Sequence, residues 1–289
     1  MVLLWFVQGA FVTRLLTGRP RPRFEEPVPP DLVSPFQVEA DRINTSDGEN
    51  LGVWFLRGDA HKPVVIALHG IGDSRTTSVG LMRWLGGAGD GVLAVSLRAH
   101  GDSTGDHCDF GWGARHDVVA AVEYLGRMAP GRRVVVLGSS MGAAAAIFAA
   151  KELGPNVSGY ILQAPYASLA KATWVRVEHY LGFPLDYVAY GSLWLWSPVY
   201  LPVPLSAINP AIRVKDIPDA TPVLFIAGGR DWEAPQADIE AMAAGRGPKT
   251  ALEVFPAARH VQAWASDPAR FERLVLGFIE SVETGAGAR

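Results

Sequence analysis

Cysteine is nearly absent: Cys108 is the only one in 289 residues. An intrachain disulfide framework is therefore excluded, and so is a metal site built from cysteines. Charge is also scarce. Asp, Glu, Lys and Arg together make up 19% of the chain and leave a formal net charge of -3. No basic run lays down a track for phosphates, so nucleic acid is excluded as a partner class. Long apolar runs are missing too. The stretch of residues 1–13 is almost wholly apolar but is interrupted by Arg14, well short of the ~20 residues that a spanning helix needs. It has neither the basic lead nor the small-residue cleavage site of a secretory signal. It reads as a helix packed on the protein, over the entrance to a site. The competing reading is a peripheral membrane contact through residues 1–18. The corresponding localisation is cytoplasmic, with membrane association as the alternative.

What is present is apolar: 49% of the residues are hydrophobic, enough to bury the core of one large α/β domain. Residues 19–35 carry six prolines and read as an irregular connector. The division that follows is residues 1–35 as an N-terminal helix and connector, and residues 36–284 as the main domain. Residues 36–43 and 51–56 alternate as an edge hairpin. After them the chain alternates between short β-branched runs and helical stretches. The runs 64–68, 92–97, 134–138, 159–164, 222–227 and 251–255 read as strands of a mostly parallel sheet with helices on both faces. Residues 166–209 break this rhythm. They carry Trp174, Tyr180, Phe183, Trp194 and Trp196, too many aromatics for a free loop, and read as a helical cap whose aromatics line a substrate pocket. Residues 285–289 read as a frayed tail.

One stretch organises the rest. The run Val134 to Leu137 enters Gly138-Ser139-Ser140-Met141-Gly142, and an alanine-rich helical run leaves it. The two glycines let strand and helix approach closely and hold Ser140, not Ser139, at the apex of the turn. A serine hydroxyl needs a base, and the base needs a carboxylate to fix its tautomer. In an open α/β sheet such groups collect beyond the C-terminal ends of strands. Asp231 and His260 occupy such positions, in the chain order Ser, Asp, His. His69 and His100 read as loop-organising hydrogen-bonders. The grouping of Asp73, Asp102, Asp106, His107 and Asp109 matches no metal-ligand spacing.

The stretches Leu68-His69-Gly70-Ile71-Gly72-Asp73, Leu97 to Ser103, Gly138 to Gly142, Gly228 to Asp231 and Arg259-His260 resemble the alpha/beta-hydrolase family. The similarity is to its bacterial serine-hydrolase branch of esterases, lipases and serine aminopeptidase-like members, and it spans nearly all of residues 51–280. It departs at Arg259, where the family has a small residue, and at Ala99, where this branch often has glycine. The resemblance implies the alpha/beta-hydrolase fold, with Ser140 as nucleophile, Asp231 as acid and His260 as base. It also implies an oxyanion hole from the backbone amides of Ile71 and Met141. The implied substrate is a small-molecule or lipid-like ester, and no metal or organic cofactor is needed. A peptidase or amidase of the same fold is the alternative within enzymes. A non-catalytic binding protein of that fold is the alternative outside them.

Overall fold

The computed structural model describes residues 2–285, with side chains from residue 8 onward. The expected frayed tail lies, from residue 286, outside the described residues, as do Met1 and the side chains at the start of the apolar stretch.

An eight-stranded sheet forms the centre. Its strands are β1 (Glu39–Asn44), β2 (Asn50–Leu56), β3 (Val64–Leu68), β4 (Gly91–Val95), β5 (Val134–Ser139), β6 (Gly159–Gln163), β7 (Val223–Gly228) and β8 (Thr250–Phe255). They lie in the order β1-β2-β4-β3-β5-β6-β7-β8. The hairpin β1–β2 is antiparallel and β2 joins β4 antiparallel, while β4, β3 and β5 to β8 run parallel. The central strands are apolar on both faces because both faces are covered. Val64, Ile66 and Leu68 pack on one side with helices α4 (Arg115–Met128), α5 (Met141–Leu153) and α9 (Gln236–Ala244). Val65 and Ala67 pack on the other with α3 (Val79–Gly87) and α11 (Pro268–Thr284). β1, at the edge, exposes all but Ile43 and is accordingly polar.

The N-terminal segment forms helix α1 (Val2–Thr17). The connector is irregular apart from one helical turn, α2 (Pro30–Val33), a correction to the expectation of no regular structure there. Pro30 opens that turn at a position where its missing N–H costs nothing. Between β6 and β7 the chain forms α6 (Leu169–Leu181) and α7 (Leu185–Tyr200). Ser168 caps α6 by accepting a hydrogen bond from the Lys171 amide at 3.2 Å. Helix α1 packs along α7. One-turn helices α8 (Pro210–Arg213) and α10 (Ala263–Ser266) complete the connections.

Candidate active site

The parallel strands deliver three side chains to one edge of the sheet. At the end of β5, Ser140 has φ 51°, outside the region most L-residues adopt. Two glycines make that turn feasible. A Cβ on Gly142 would stand 2.5 Å from the Leu68 carbonyl oxygen, and one on Gly138 would stand 2.6 Å from the Ala143 nitrogen. Asp231 lies three residues beyond β7, and His260 five beyond β8. His260 Nε2 is 2.8 Å from Ser140 Oγ, and its Nδ1 is 2.8 Å from Asp231 Oδ2. The other carboxylate oxygen, Oδ1, accepts from the backbone amides of Glu233 and Ala234, each at 2.9 Å. The Asp231 side chain is fully buried, so its orientation rests on these bonds.

Ser139 takes no part in this line. Its hydroxyl donates to Gln163 Oε1 at 3.3 Å. Glu233 and Asp238, the neighbouring carboxylates, are bound to Arg176 and Lys171 of α6. Met141 is the first residue of α5, where amides have no intrahelical acceptor and the helix dipole favours negative charge. Ile71 sits on the loop after β3, half-exposed at the cavity.

His69 holds that loop. Its Nε2 accepts from the Leu97 amide at 3.0 Å, so the ring proton must sit on Nδ1, which donates to the Gly70 carbonyl at 2.7 Å. Burial, with His100 and Arg75 nearby, pushes its pKa from the ordinary 6.5 down to about 3. His100 Nδ1 likewise bonds the Arg98 carbonyl, at 2.8 Å. One pH effect follows. In acid the unfolded chain takes up the His69 proton first. Stability from the neutral ring is therefore full above pH 6.5 and is lost as pH falls toward 3. His69→Gln, which has no titrating group, flattens this part of the profile. Denaturant midpoints of both proteins at pH 4 and pH 7 check it.

A cavity of about 800 Å³ opens beside Ser140. Its walls come from α6 and α7, from Phe110, Met141 and Tyr166, and from α1 through Gly9, Phe11, Val12 and Leu16. The aromatic pocket expected from the insert is only partly there. Tyr180 reaches the wall, and Trp194 lines a small adjoining cavity. Trp174 instead packs edge-on against Tyr187 and Tyr190. Phe183 is 84% exposed, and Trp196 lies against α1 near Gly9. The cavity is walled mainly by aliphatic and small residues.

Among the described residues, no group of three or more His, Cys, Asp or Glu side chains could hold a metal ion. Asp102 is spoken for by Arg75, and Asp109 accepts from the Gly113 amide at 2.7 Å. Cys108 is buried with its thiol 3.6 Å from the Met141 sulfur, and burial pushes its pKa up to about 12. His179 stacks on Trp232, ring centres 4.0 Å apart, tying the cap to the loop of Asp231.

The model of the family described as "Serine aminopeptidase, S33" matches residues 59–187. The Pyrococcus furiosus esterase Pf2001 superposes with a TM-score of 0.72 at 27% identity, over 90% of this chain and 95% of that one. The chain has the alpha/beta-hydrolase fold. An esterase of Exiguobacterium antarcticum shares the fold, with a TM-score of 0.63 at 16% identity over 84% of this chain and all of that one. An uncharacterized protein of Mycobacterium tuberculosis is 28% identical over 223 residues, 75% of this chain and 70% of its own. The Arabidopsis thaliana alpha/beta hydrolase domain-containing protein WAV2 is 26% identical over 271 residues, 88% of this chain and 85% of its own. The matched structures of stated activity are esterases, and the matched family model is of serine hydrolases.

The N-terminal helix, read from the sequence as packed over the entrance to a site, does supply a wall of the cavity, although nothing in the sequence singles out its individual lining residues. One contributor has no sequence signal: Glu26, buried in the connector with its Oε2 2.8 Å from Arg75 Nη1. Arg75 immediately follows the loop that carries Ile71.

Proposed function

We propose that this protein is a serine hydrolase that cleaves carboxylic esters with an apolar acyl group through an acyl-enzyme on Ser140. The observation that carries this reading is the unbroken line of two 2.8 Å hydrogen bonds from Ser140 Oγ through His260 to Asp231, opening onto an apolar cavity.

Ser140 Oγ attacks the ester carbonyl as His260 Nε2 takes its proton. The imidazolium that forms is stabilised by Asp231, which stays ionised and holds the Nδ1 proton. Negative charge develops on the carbonyl oxygen, toward the amides of Ile71 and Met141. Collapse breaks the bond to the alkoxy group, which leaves with the proton from His260. Water then attacks the acyl-enzyme with His260 again as base, releasing the acid and restoring Ser140. The mostly apolar walls beside Ser140 give the acyl chain an apolar surface to lie against.

Peptide-bond cleavage from a free N-terminus is the second reading within the family. That substrate presents an ammonium. Among the described residues lining the cavity there is no carboxylate, and its one cation, Arg176, is paired with Glu233, so nothing on the walls offers an ammonium a partner, which favours the ester.

A fluorophosphonate probe with intact-mass detection tests the nucleophile, and p-nitrophenyl esters of graded acyl length beside aminoacyl anilides test the bond cleaved. The expected result is one adduct on the wild type, none on Ser140→Ala, and ester turnover reduced by about 10⁶-fold in that variant. Labelling of Ser140→Ala at the wild-type rate, or rapid anilide cleavage without ester cleavage, would overturn the reading.

A further inference from the structure

Helix α1 is built inside out for a helix meeting water. A surface helix turns large apolar residues inward and polar ones outward. Among the described residues of α1 from Gln8 onward, Gly9, Thr13 and Thr17, spaced four apart, are the buried ones. The two threonine hydroxyls are satisfied within the helix, on the carbonyls of Gly9 and Thr13, each at 2.8 Å. Phe11, Val12, Leu15 and Leu16 face out, and Leu15 is 61% exposed. Helix α7 repeats the inversion. Its fully buried residues are Asp186 and Ser197, while Val188, Leu195 and Val199 form an exposed stripe. The helices meet through small residues, since a Cβ on Gly9 would collide with Ser192 Oγ. Small and polar residues at the contact with large apolar residues outside is the pattern of helices packed in lipid.

Charge points the same way. Residues 1–24 contain Arg14, Arg19, Arg21 and Arg23 and no acidic residue. Arg19 turns inward to the carbonyls of Gly101, Ser103 and Gly105, whereas Arg14, Arg21 and Arg23 are exposed. The one charged residue of α7, Asp186, is buried. The outer face of α1 and the start of the connector after it thus expose cations while the outer face of α7 carries no charge, the complement of anionic headgroups. Among the described residues no helix is long and apolar enough to cross a membrane. The 16 residues of α1 rise ~24 Å against a hydrocarbon core of ~30 Å. Lying in one leaflet satisfies both lengths. Phe11, Val12 and Leu16 are exposed and also line the cavity of Ser140. The outer face and the cavity therefore share a wall.

We propose that the outer faces of α1 and α7 seat in the surface of an anionic lipid bilayer, with the cavity open to the leaflet. The ester then enters acyl chain first from lipid, as a membrane-soluble substrate. This substrate class rests on the esterase reading, whereas the docking does not.

Flotation of the full chain with phosphatidylcholine vesicles, with and without phosphatidylglycerol, tests it. The wild type floats with the anionic vesicles, and added salt weakens the binding. Arg14→Gln and Arg23→Gln each lower partitioning on them about fivefold. The triple variant Leu15→Glu, Leu195→Glu, Val199→Glu stops floating. It also loses hydrolysis of a long-chain ester embedded in vesicles, yet keeps the wild-type rate on a short soluble p-nitrophenyl ester, which shows that it is folded. Flotation of the triple variant like wild type overturns the proposal. So does a wild type that floats with neither vesicle, or a wild-type dimer that the three glutamates dissolve. Ser140→Ala separates the two readings. If it floats while neither it nor the wild type cleaves any ester, the chemistry fails and the docking stands.

Discussion

Asp231→Asn lowers kcat about 10⁴-fold while leaving KM and the thermal unfolding profile close to wild type. The size follows from where the two carboxylate oxygens point. Oδ1 accepts from two backbone amides, those of Glu233 and Ala234, at 2.9 Å. An asparagine must leave its carbonyl oxygen there, since its NH₂ would face two donors. The NH₂ is then turned to His260 Nδ1, which must become an acceptor. The ring proton moves to Nε2, directed at Ser140 Oγ, and the base can no longer take the serine proton. Shape and burial hardly change, so the loss is confined to the chemical step. Steady-state kinetics on a soluble p-nitrophenyl ester measure it. A kcat within tenfold of wild type would remove Asp231 from the role of orienting acid. Asp231→Ala makes a useful companion. It frees the tautomer but leaves the two amides unpaired in a buried site, so its cost appears in stability as well as rate.

What could be read from the chain alone divides by the range of the interaction. The turn at Ser140 is local: a β-branched strand, two glycines and an alanine-rich helix lie within twenty residues. Asp231 and His260 are legible because parallel strands bring their C-terminal ends to one edge, so position along the chain stands in for position in space. The walls of the cavity have no such surrogate. Aromatic content says that residues 166–209 are covered, not which way each ring turns. Trp174 in fact meets Tyr187 and Tyr190. Helix α1 hides its packing face in Gly9, Thr13 and Thr17, residues that a hydrophobicity pattern assigns to the outside. Glu26 sits among prolines, and its partner Arg75 lies 49 residues further on. Nothing in the spacing of either residue announces the pair.

That pair carries the second large effect. Glu26 Oε2 accepts from Arg75 Nη1 at 2.8 Å and Ser96 Oγ at 2.6 Å, and the Arg75 side chain is 3% exposed. Arg75 also grips Asp102 through Nη1 and Nη2, and its planar guanidinium lies over Trp54, 5.1 Å from the centroid. Trp54 Nε1 in turn donates to the Glu26 carbonyl at 3.1 Å. Glu26→Ala leaves the guanidinium buried with one carboxylate partner instead of two and empties the volume beneath it. The expected loss is about 3 kcal/mol, the lower end of the range for breaking a buried pair, because Asp102 remains. The damage should not stop at stability. The Arg75 amide bonds Ser96 Oγ at 3.0 Å, so the cluster anchors the end of the loop bearing Ile71. Loss of one oxyanion donor costs ~10²–10³ in kcat, and loosening its loop should cost about tenfold, with KM little altered. The double replacement Glu26→Leu, Arg75→Met removes the stranded cation and should recover part of the stability without recovering the rate. Denaturant unfolding of the three proteins, read beside kcat and KM on a soluble ester, separates the two roles. A stability loss with unchanged kcat would make the cluster structural only. A drop in kcat that the double variant shares would tie the connector to the chemistry at Ser140.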